Sequence, residues 1–345
     1  MKRLLPIVLT LMLVLVSFTA CGGGDKTDED TGGSGGSVVK TGLGVVSSVE
    51  KSTPPKGDKN GVAETDSFAA AVLVKEDGTL AKCKIDSAQT KIEFSKEGKV
   101  MTPLDTIFKS KQDLGEDYGL KKASGIGKEW NEQATAFADY CVGKTLDEIK
   151  GIAVNEKGAP TDSELSSSVT VNVGDFIGAV EKAVNNAKEL GAGPNDTLGL
   201  GVETNIAHSA NVTDKEDGVA QAYTNYVAVT FGSDNKITSS AIEGSQCDVT
   251  FDKNGAITSD LTAEQQTKQE LGDQYGLKKA SGIQKEWYEQ ANAFAAYIKG
   301  KTLDEVKNIA VDKKGSPTDS ELSSSVTISV TNYIQLVEKA SANAS

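Results

Sequence analysis

The sequence predicts an α+β protein built from two tandem copies of one domain, with β-hairpins first and helices after. Three observations carry that reading. The stretch Pro160-Thr161-Asp162-Ser163-Glu164-Leu165-Ser166-Ser167-Ser168-Val169-Thr170 returns letter for letter as Pro317 to Thr327, 157 positions later. The same offset relates Trp130 to Trp287, Tyr118 to Tyr275, Phe94 to Phe251 and Leu43-Gly44-Val45 to Leu200-Gly201-Val202. Within each copy, turn-bounded strand-like segments precede segments of helical period. A repeat this long is a duplicated domain, since solenoid units run to about 20–50 residues. The copies are expected at 39–190 and 191–345, each long enough to bury its own core. Gly191 to Asp196, rich in Gly, Pro and Asn, reads as the hinge.

The elements of a copy follow in order. Ser67 to Val74 and Leu80 to Ile85 are strand-like around the turn Glu76-Asp77-Gly78. Lys91 to Phe94 and Lys99 to Met101 flank Lys96-Glu97-Gly98 as a second hairpin. The second copy places Ser233-Asp234-Asn235 and Lys253-Asn254-Gly255 at these turns. Trp130, Ala134, Phe137, Ala138 and Cys141 mark one face of a helix. Thr145 to Glu148 fits a capping box, repeated at Thr302 to Glu305. Ile152 to Val154 reads as a short strand and Val169 to Val173 as another. Phe176, Ile177, Val180, Ala183, Val184 and Ala187 mark a final helix. The serine stretch between them reads as a hydroxyl-rich turn at a strand–helix junction.

Composition narrows the function. The formal net charge is −13, and an acidic surface repels phosphate backbones, so no nucleic-acid partner is expected. His208 is the chain's one histidine and reads as a surface residue, which leaves no His cluster for metal or haem and no His-based triad in each copy. Cys83, Cys141 and Cys247 have no cysteine counterparts at the 157 offset and read as buried or incidental thiols.

Residues 1–20 read as a lipoprotein signal peptide. Met1-Lys2-Arg3 precedes an apolar run from Leu4 to Val16, then Phe18-Thr19-Ala20-Cys21. The last four residues resemble a bacterial lipobox, with Phe18 where Leu is usual, and imply lipidation of Cys21. Residues 21–38, mostly Gly, Ser and acidic residues, read as a flexible tether. The expected location is extracytoplasmic, anchored to the outer face of the cell membrane.

A second identical segment, Tyr118-Gly119-Leu120-Lys121-Lys122-Ala123-Ser124-Gly125-Ile126, returns as Tyr275 to Ile283. The hairpin regions of the two copies differ widely. Identity in these two segments, against drift in the hairpins, suggests that they form one shared site.

Glu164 to Thr170, and identically Glu321 to Thr327, fits the frame Asp-x-x-Ser/Thr-Gly-Ala-Thr with Glu for Asp, Ser for Gly and Val for Ala. Each copy thereby resembles an FMN-binding domain of the kind found in a subunit of the sodium-pumping NADH:quinone reductase. The whole layout is similar to the flavinylated, PplA-type surface lipoproteins of Gram-positive bacteria. That resemblance implies two FMN groups, each joined through its phosphate to Thr170 or Thr327, and a role in flavin-based extracellular electron transfer. It also implies a flavin transferase as maturation partner and a membrane electron donor, a quinol or NADH dehydrogenase system. Leu165, Ser167 and Ser168, with Leu322, Ser324 and Ser325, fall within the motif, and the serine hydroxyls are suited to hold phosphate oxygens.

Tyr118 and Trp130, with Tyr275 and Trp287, are candidates for an aromatic wall beside the flavin, or for plain core packing. Lys121 and Lys122, with Lys278 and Lys279, are candidates for contacting the phosphate or an anionic reduced flavin, or for a solvated face. No residue reads as a dedicated acid or base, so an electron carrier is expected and not an enzyme with substrate turnover. Two other readings stay open. One is a non-redox surface lipoprotein binding a small ligand or protein. The other is an adhesin with no small-molecule site, which would keep Tyr118–Ile126 far from Thr170.

Overall fold

Runs of alanine and branched residues form the long strands. In the computed structural model, which describes residues 39–345, the first sheet is antiparallel with strand order β1-β2-β3. Its strands are β1 (Val39–Ser48), β2 (Gly61–Lys75) and β3 (Leu80–Phe94). The signal peptide, Cys21 and the tether expected before them lie outside the described residues.

Strand β4 (Ile107–Lys109) crosses to the second sheet and pairs with β5 (Thr197–Asn205). Strands β6 (Gly218–Phe231) and β7 (Ile237–Phe251) complete that sheet in the order β4-β5-β6-β7. Gly61 pairs with Phe94 in the first sheet and Gly218 with Phe251 in the second, the same register at the 157 offset.

Helices follow each set of strands. After β4 come α1 (Lys111–Leu114), α2 (Trp130–Cys141), α3 (Leu146–Lys150), α4 (Ser163–Ser166) and α5 (Gly174–Asn185). After β7 come α6 (Lys268–Leu271), α7 (Trp287–Ile298), α8 (Leu303–Lys307), α9 (Ser320–Ser323) and α10 (Thr331–Ala342). The expected capping boxes are present, with Thr145 accepting from the Glu148 N–H and Thr302 from the Glu305 N–H.

Strand β2 shows why the apolar runs are continuous. Ala70, Val72 and Val74 face the helices α2 and α5, while Ala69, Ala71 and Leu73 face the second sheet. Burial on both faces removes the polar half of the usual alternation. The molecule is thus layered helix, sheet, sheet, helix. Each half closes one core of its own against its helices, and two further cores lie between the sheets. Phe94 stacks on Phe251 there, with ring centroids 4.3 Å apart and planes at 12°.

Contacts between the halves are reciprocal, as in an isologous dimer. Lys182 pairs with Glu270 at 2.6 Å, and Lys339 pairs with Asp113, the same two positions with the halves exchanged.

The structure corrects several elements. Val169 to Val173 is not a strand, and the serine stretch is not a turn alone. Asp162 caps α4 through the Glu164 N–H, which turns Ser163–Ser166 into one helical turn. Thr170 therefore sits between two helices. Ile152 to Val154 contributes a single bridge, Val154 to Pro160. The second hairpin is present but short: β3 ends at Phe94, which bridges Val100, and the Ser95 N–H donates to the Lys99 carbonyl and the Met101 N–H to the Glu93 carbonyl, both at 2.8 Å. Strands β1, β4 and β5 are additional to the sequence reading.

Candidate functional site

The first turn of α2 organises the site. Glu129 caps α2 and is buried, and its carboxylate accepts the main-chain N–H of Leu120 at 2.7 Å and of Lys121 at 3.0 Å. In the second half Glu286 accepts from Leu277 and Lys278 at the same two distances. The repeated Tyr118–Ile126 segment is thereby fastened to the helix start.

One turn further on, Gln133 is fully buried. Its Oε1 accepts the Thr170 N–H at 2.8 Å, the Thr170 hydroxyl at 3.2 Å and the Val171 N–H at 3.3 Å. Its Nε2 donates to Ser124 Oγ at 3.2 Å and to the Lys128 carbonyl at 3.1 Å. Gln290 does the same with Thr327, Ile328, Ser281 and Lys285. One glutamine thus joins the two repeated segments in each half. A buried amide with every polar atom bonded fixes both chains firmly.

Thr170 and Thr327 are themselves exposed. In the second half Thr327 opens on a cleft of ≈ 540 Å³, whose lining includes Leu277, Ser281, Ser323 and Val326. Leu165 and Leu322 are buried and anchor α4 and α9 in the helix-side cores. Ser168 Oγ accepts from the Lys128 ammonium at 3.1 Å. Ser167 and Ser324 are exposed and turn their hydroxyls back to the Glu164 and Glu321 carbonyls, while Ser325 is half-buried.

The aromatic candidates occupy a different setting. Trp130 and Trp287 are buried and belong to the helix-side cores. With half-buried Tyr118 and Tyr275 they enclose a lysine. Lys111 Nζ lies 4.8 Å from the Tyr118 ring and 5.2 Å from Trp130. Lys268 Nζ lies 4.7 Å from Tyr275, 5.2 Å from Trp287 and 4.0 Å from Tyr223, whose hydroxyl it also contacts. Cation–π contact compensates part of the cost of burying the ammonium.

Burial nevertheless brings Lys268 down to about 7, against an upward pull from Glu243. Burial pushes Glu243 up to about 7, although Thr267 Oγ1 and the main-chain N–H groups of Gly244 and Gln269 all donate to it. Asp86, its counterpart in the first half, is pushed up to about 7 by burial as well.

Lys121, Lys122, Lys278 and Lys279 are exposed, and Lys121 pairs with Glu116 at 3.7 Å. The lysine brought to the serine stretch is Lys128. His208 is exposed, as expected, and all three cysteines are buried.

The residues absent from the sequence reading are Glu129, Gln133, Lys128 and Lys111, with Glu286, Gln290, Lys285 and Lys268. A signal for them existed, since Glu-Trp-x-Glu-Gln recurs at 129–133 and 286–290 and all four pairs match at the 157 offset.

No family model matches the chain, and no solved structure matches it. A chlorophenol reductase of Desulfitobacterium hafniense is 49% identical over 43 residues, which is 12% of this chain and 13% of that protein.

Proposed function

We propose that the chain is a duplicated, membrane-tethered extracytoplasmic electron carrier, with one FMN bound covalently in each half at Thr170 and Thr327. The observation that carries this reading is the glutamine link. Two segments identical between halves, remote in sequence, meet at one exposed threonine, as a shared cofactor site requires. An adhesin with no small-molecule site would have left them apart.

The residues present fit the group. Each threonine offers an exposed hydroxyl for a phosphoester. The Gln133 grip on the N–H groups of Thr170 and Val171 does not depend on that hydroxyl proton, so the attachment point would stay fixed after esterification. Lys128 and Ser168 stand beside it as a cation and a hydroxyl for phosphate oxygens. The bound flavin would supply the redox chemistry, and the protein would hold it in place against loss to the medium. Trp130 and Trp287 serve the core in this reading, and in the second half Leu277 and Val326 line the cleft beside Thr327 as apolar wall for the flavin. A flavin transferase and a membrane electron donor are the partners, and lipid on Cys21 is the tether.

Intact mass of protein co-expressed with a flavin transferase tests the reading. Native protein is expected to carry two FMN-sized increments, each single variant Thr170→Val or Thr327→Val one, and the double variant none. Native protein without an increment would instead leave a surface lipoprotein that binds a non-redox ligand or a protein.

A further inference from the structure

Cys83 and Cys141 meet in the helix-side core of the first half. Cys83 lies on β3 opposite Val72, and with Val72 and Ile85 it packs toward the helices. Cys141 is the last residue of α2 and packs into the same core. The chain is pinned just beyond it. Val142 bridges Leu80, the Gly143 N–H donates to the Leu80 carbonyl at 2.8 Å, and the Leu80 N–H donates to the Lys144 carbonyl at 2.9 Å. The end of α2 and the start of β3 are thereby held together. Both cysteines are buried, and they are unlinked in this structure. Their thiols hydrogen-bond to each other, and that contact, ahead of burial, holds the Cys83 thiol well above its ordinary range.

The second half supplies the comparison. At the 157 offset the same two positions hold Ser240 and Ile298, both buried. The Ser240 hydroxyl there has no hydrogen-bond partner among the described residues. One half thus carries both cysteines and the other neither. A single buried thiol packs as a small apolar group, and either position alone would need no partner. Two thiols in contact form a dithiol. Cys247 belongs to a different core, between the sheets, and takes no part in the pair.

We propose that Cys83 and Cys141 are joined as a disulfide in the exported protein. The proposal takes from the functional reading only the export of the chain, to a compartment where disulfides persist, and nothing of the flavin. The two sulfurs, already in contact, close to about 2 Å. Each thiol gives up its proton and the pair gives up two electrons. The acceptor is an external disulfide, of a small molecule or of an exported oxidoreductase, which leaves as two thiols. Both cysteines are buried once the domain has folded, so the exchange takes place before the core closes. The bond ties β3 to α2 and encloses the repeated Tyr118–Ile126 segment and Gln133 in a covalent loop. Such a loop stabilises chiefly by restricting the unfolded chain.

The test uses the full mature chain carrying Cys21→Ser, denatured, refolded with reduced and oxidised glutathione, and then alkylated under denaturing conditions for intact mass. One alkyl group is expected, on Cys247, against three after reduction. Peptide mapping should recover Cys83 linked to Cys141. Cys83→Ser and Cys141→Val should each take two alkyl groups whether reduced or not. The oxidised protein is expected to melt about 5–10 °C above its reduced form. Three alkyl groups on the refolded protein, a link through Cys247, or a lower midpoint in the oxidised form would overturn the proposal. Should a variant fail to fold, the count on the chain with all three thiols decides alone. The assay contains no membrane and no flavin, so its failure leaves the electron-carrier reading standing, and missing FMN increments leave the disulfide standing.

Discussion

Gln133 holds Thr170 by its main chain, with the Thr170 N–H 2.8 Å from Gln133 Oε1. It simultaneously holds Ser124, so the geometry of the threonine is set from inside the core. Gln133→Leu keeps the bulk and removes every one of these bonds. It leaves buried or half-buried donors unmatched, a loss of about 1–3 kcal/mol in unfolding free energy by denaturant titration. In flavinylated protein the increment at Thr170 should fall and that at Thr327 should persist, read by peptide mass mapping. Loss of stability with full occupancy at Thr170 would mean that the glutamine serves the fold alone.

Neither half is closed without the other. Phe94 and Phe251 stack between the sheets, and Leu43, Ala69 and Leu73 face Leu198, Leu200 and Tyr226. The fragment 39–190 should therefore expose one whole apolar sheet face. Sedimentation is expected to show it self-associating, because the interface is reciprocal and a second copy offers nearly the same surface. A monomeric, cooperatively folding fragment would contradict this. In the intact chain Phe251→Ala should cost about 3–5 kcal/mol.

Gly44 lies under α5, where a Cβ would overlap main-chain atoms of Ala183 and Ala179, and Gly201 lies under α10 against Leu336 in the same way. Backbone has nowhere to yield, so Gly44→Ala should push the helix off the sheet. A loss of about 1–3 kcal/mol is expected, or more, measured as a lower denaturation midpoint. Gly125→Ala is the control, since its Cβ would meet nothing within 4 Å.

Helices with a regular period were legible in sequence: α2, α5 and the capped α3 stand where Trp130, Phe176 and Thr145 put them. So was the convergence of Tyr118–Ile126 on Thr170, because identity between halves marked both segments. The serine stretch misled. A run of serines favours turns, yet the Asp162 cap and buried Leu165 impose a helical turn. The alternation of Val169, Val171 and Val173 looked like a strand, but Val169 and Val173 enter the same helix-side core from either side of a bend. Strand β1 was hidden because Gly42 and Gly44 break its pattern to admit a helix. Trp130 and Tyr118 drew notice as aromatics, while Lys111, which they enclose, carried no signal beyond its repetition.

Glu243 and Lys268 give the second half a distinctive pH profile. Glu243 titrates near 4.5 when unfolded and at about 7 when folded. Between those values the unfolded chain loses the proton and the folded protein keeps it, so stability falls as pH rises from 4.5 to 7. At about 1.4 kcal/mol per unit, the loss is on the order of 3 kcal/mol. Lys268 acts in the next window: its folded value of about 7 lies below the ordinary 10.5, so the unfolded chain binds the extra proton and stability rises with pH from 7 to 10.5. Glu270 opposes the ionisation of Glu243, and Lys268 in its charged form favours it. Glu243→Gln removes the first slope and retains acceptance from Gly244, Gln269 or Thr267 through its carbonyl oxygen. The variant should therefore gain on wild type by about 2–3 kcal/mol between pH 5 and pH 7.5, compared by denaturant titration at each pH. Asp86 contributes equally to both proteins and drops out of the comparison. Parallel curves would mean that Glu243 ionises in the fold as it does in water, and that its three donors outweigh its burial.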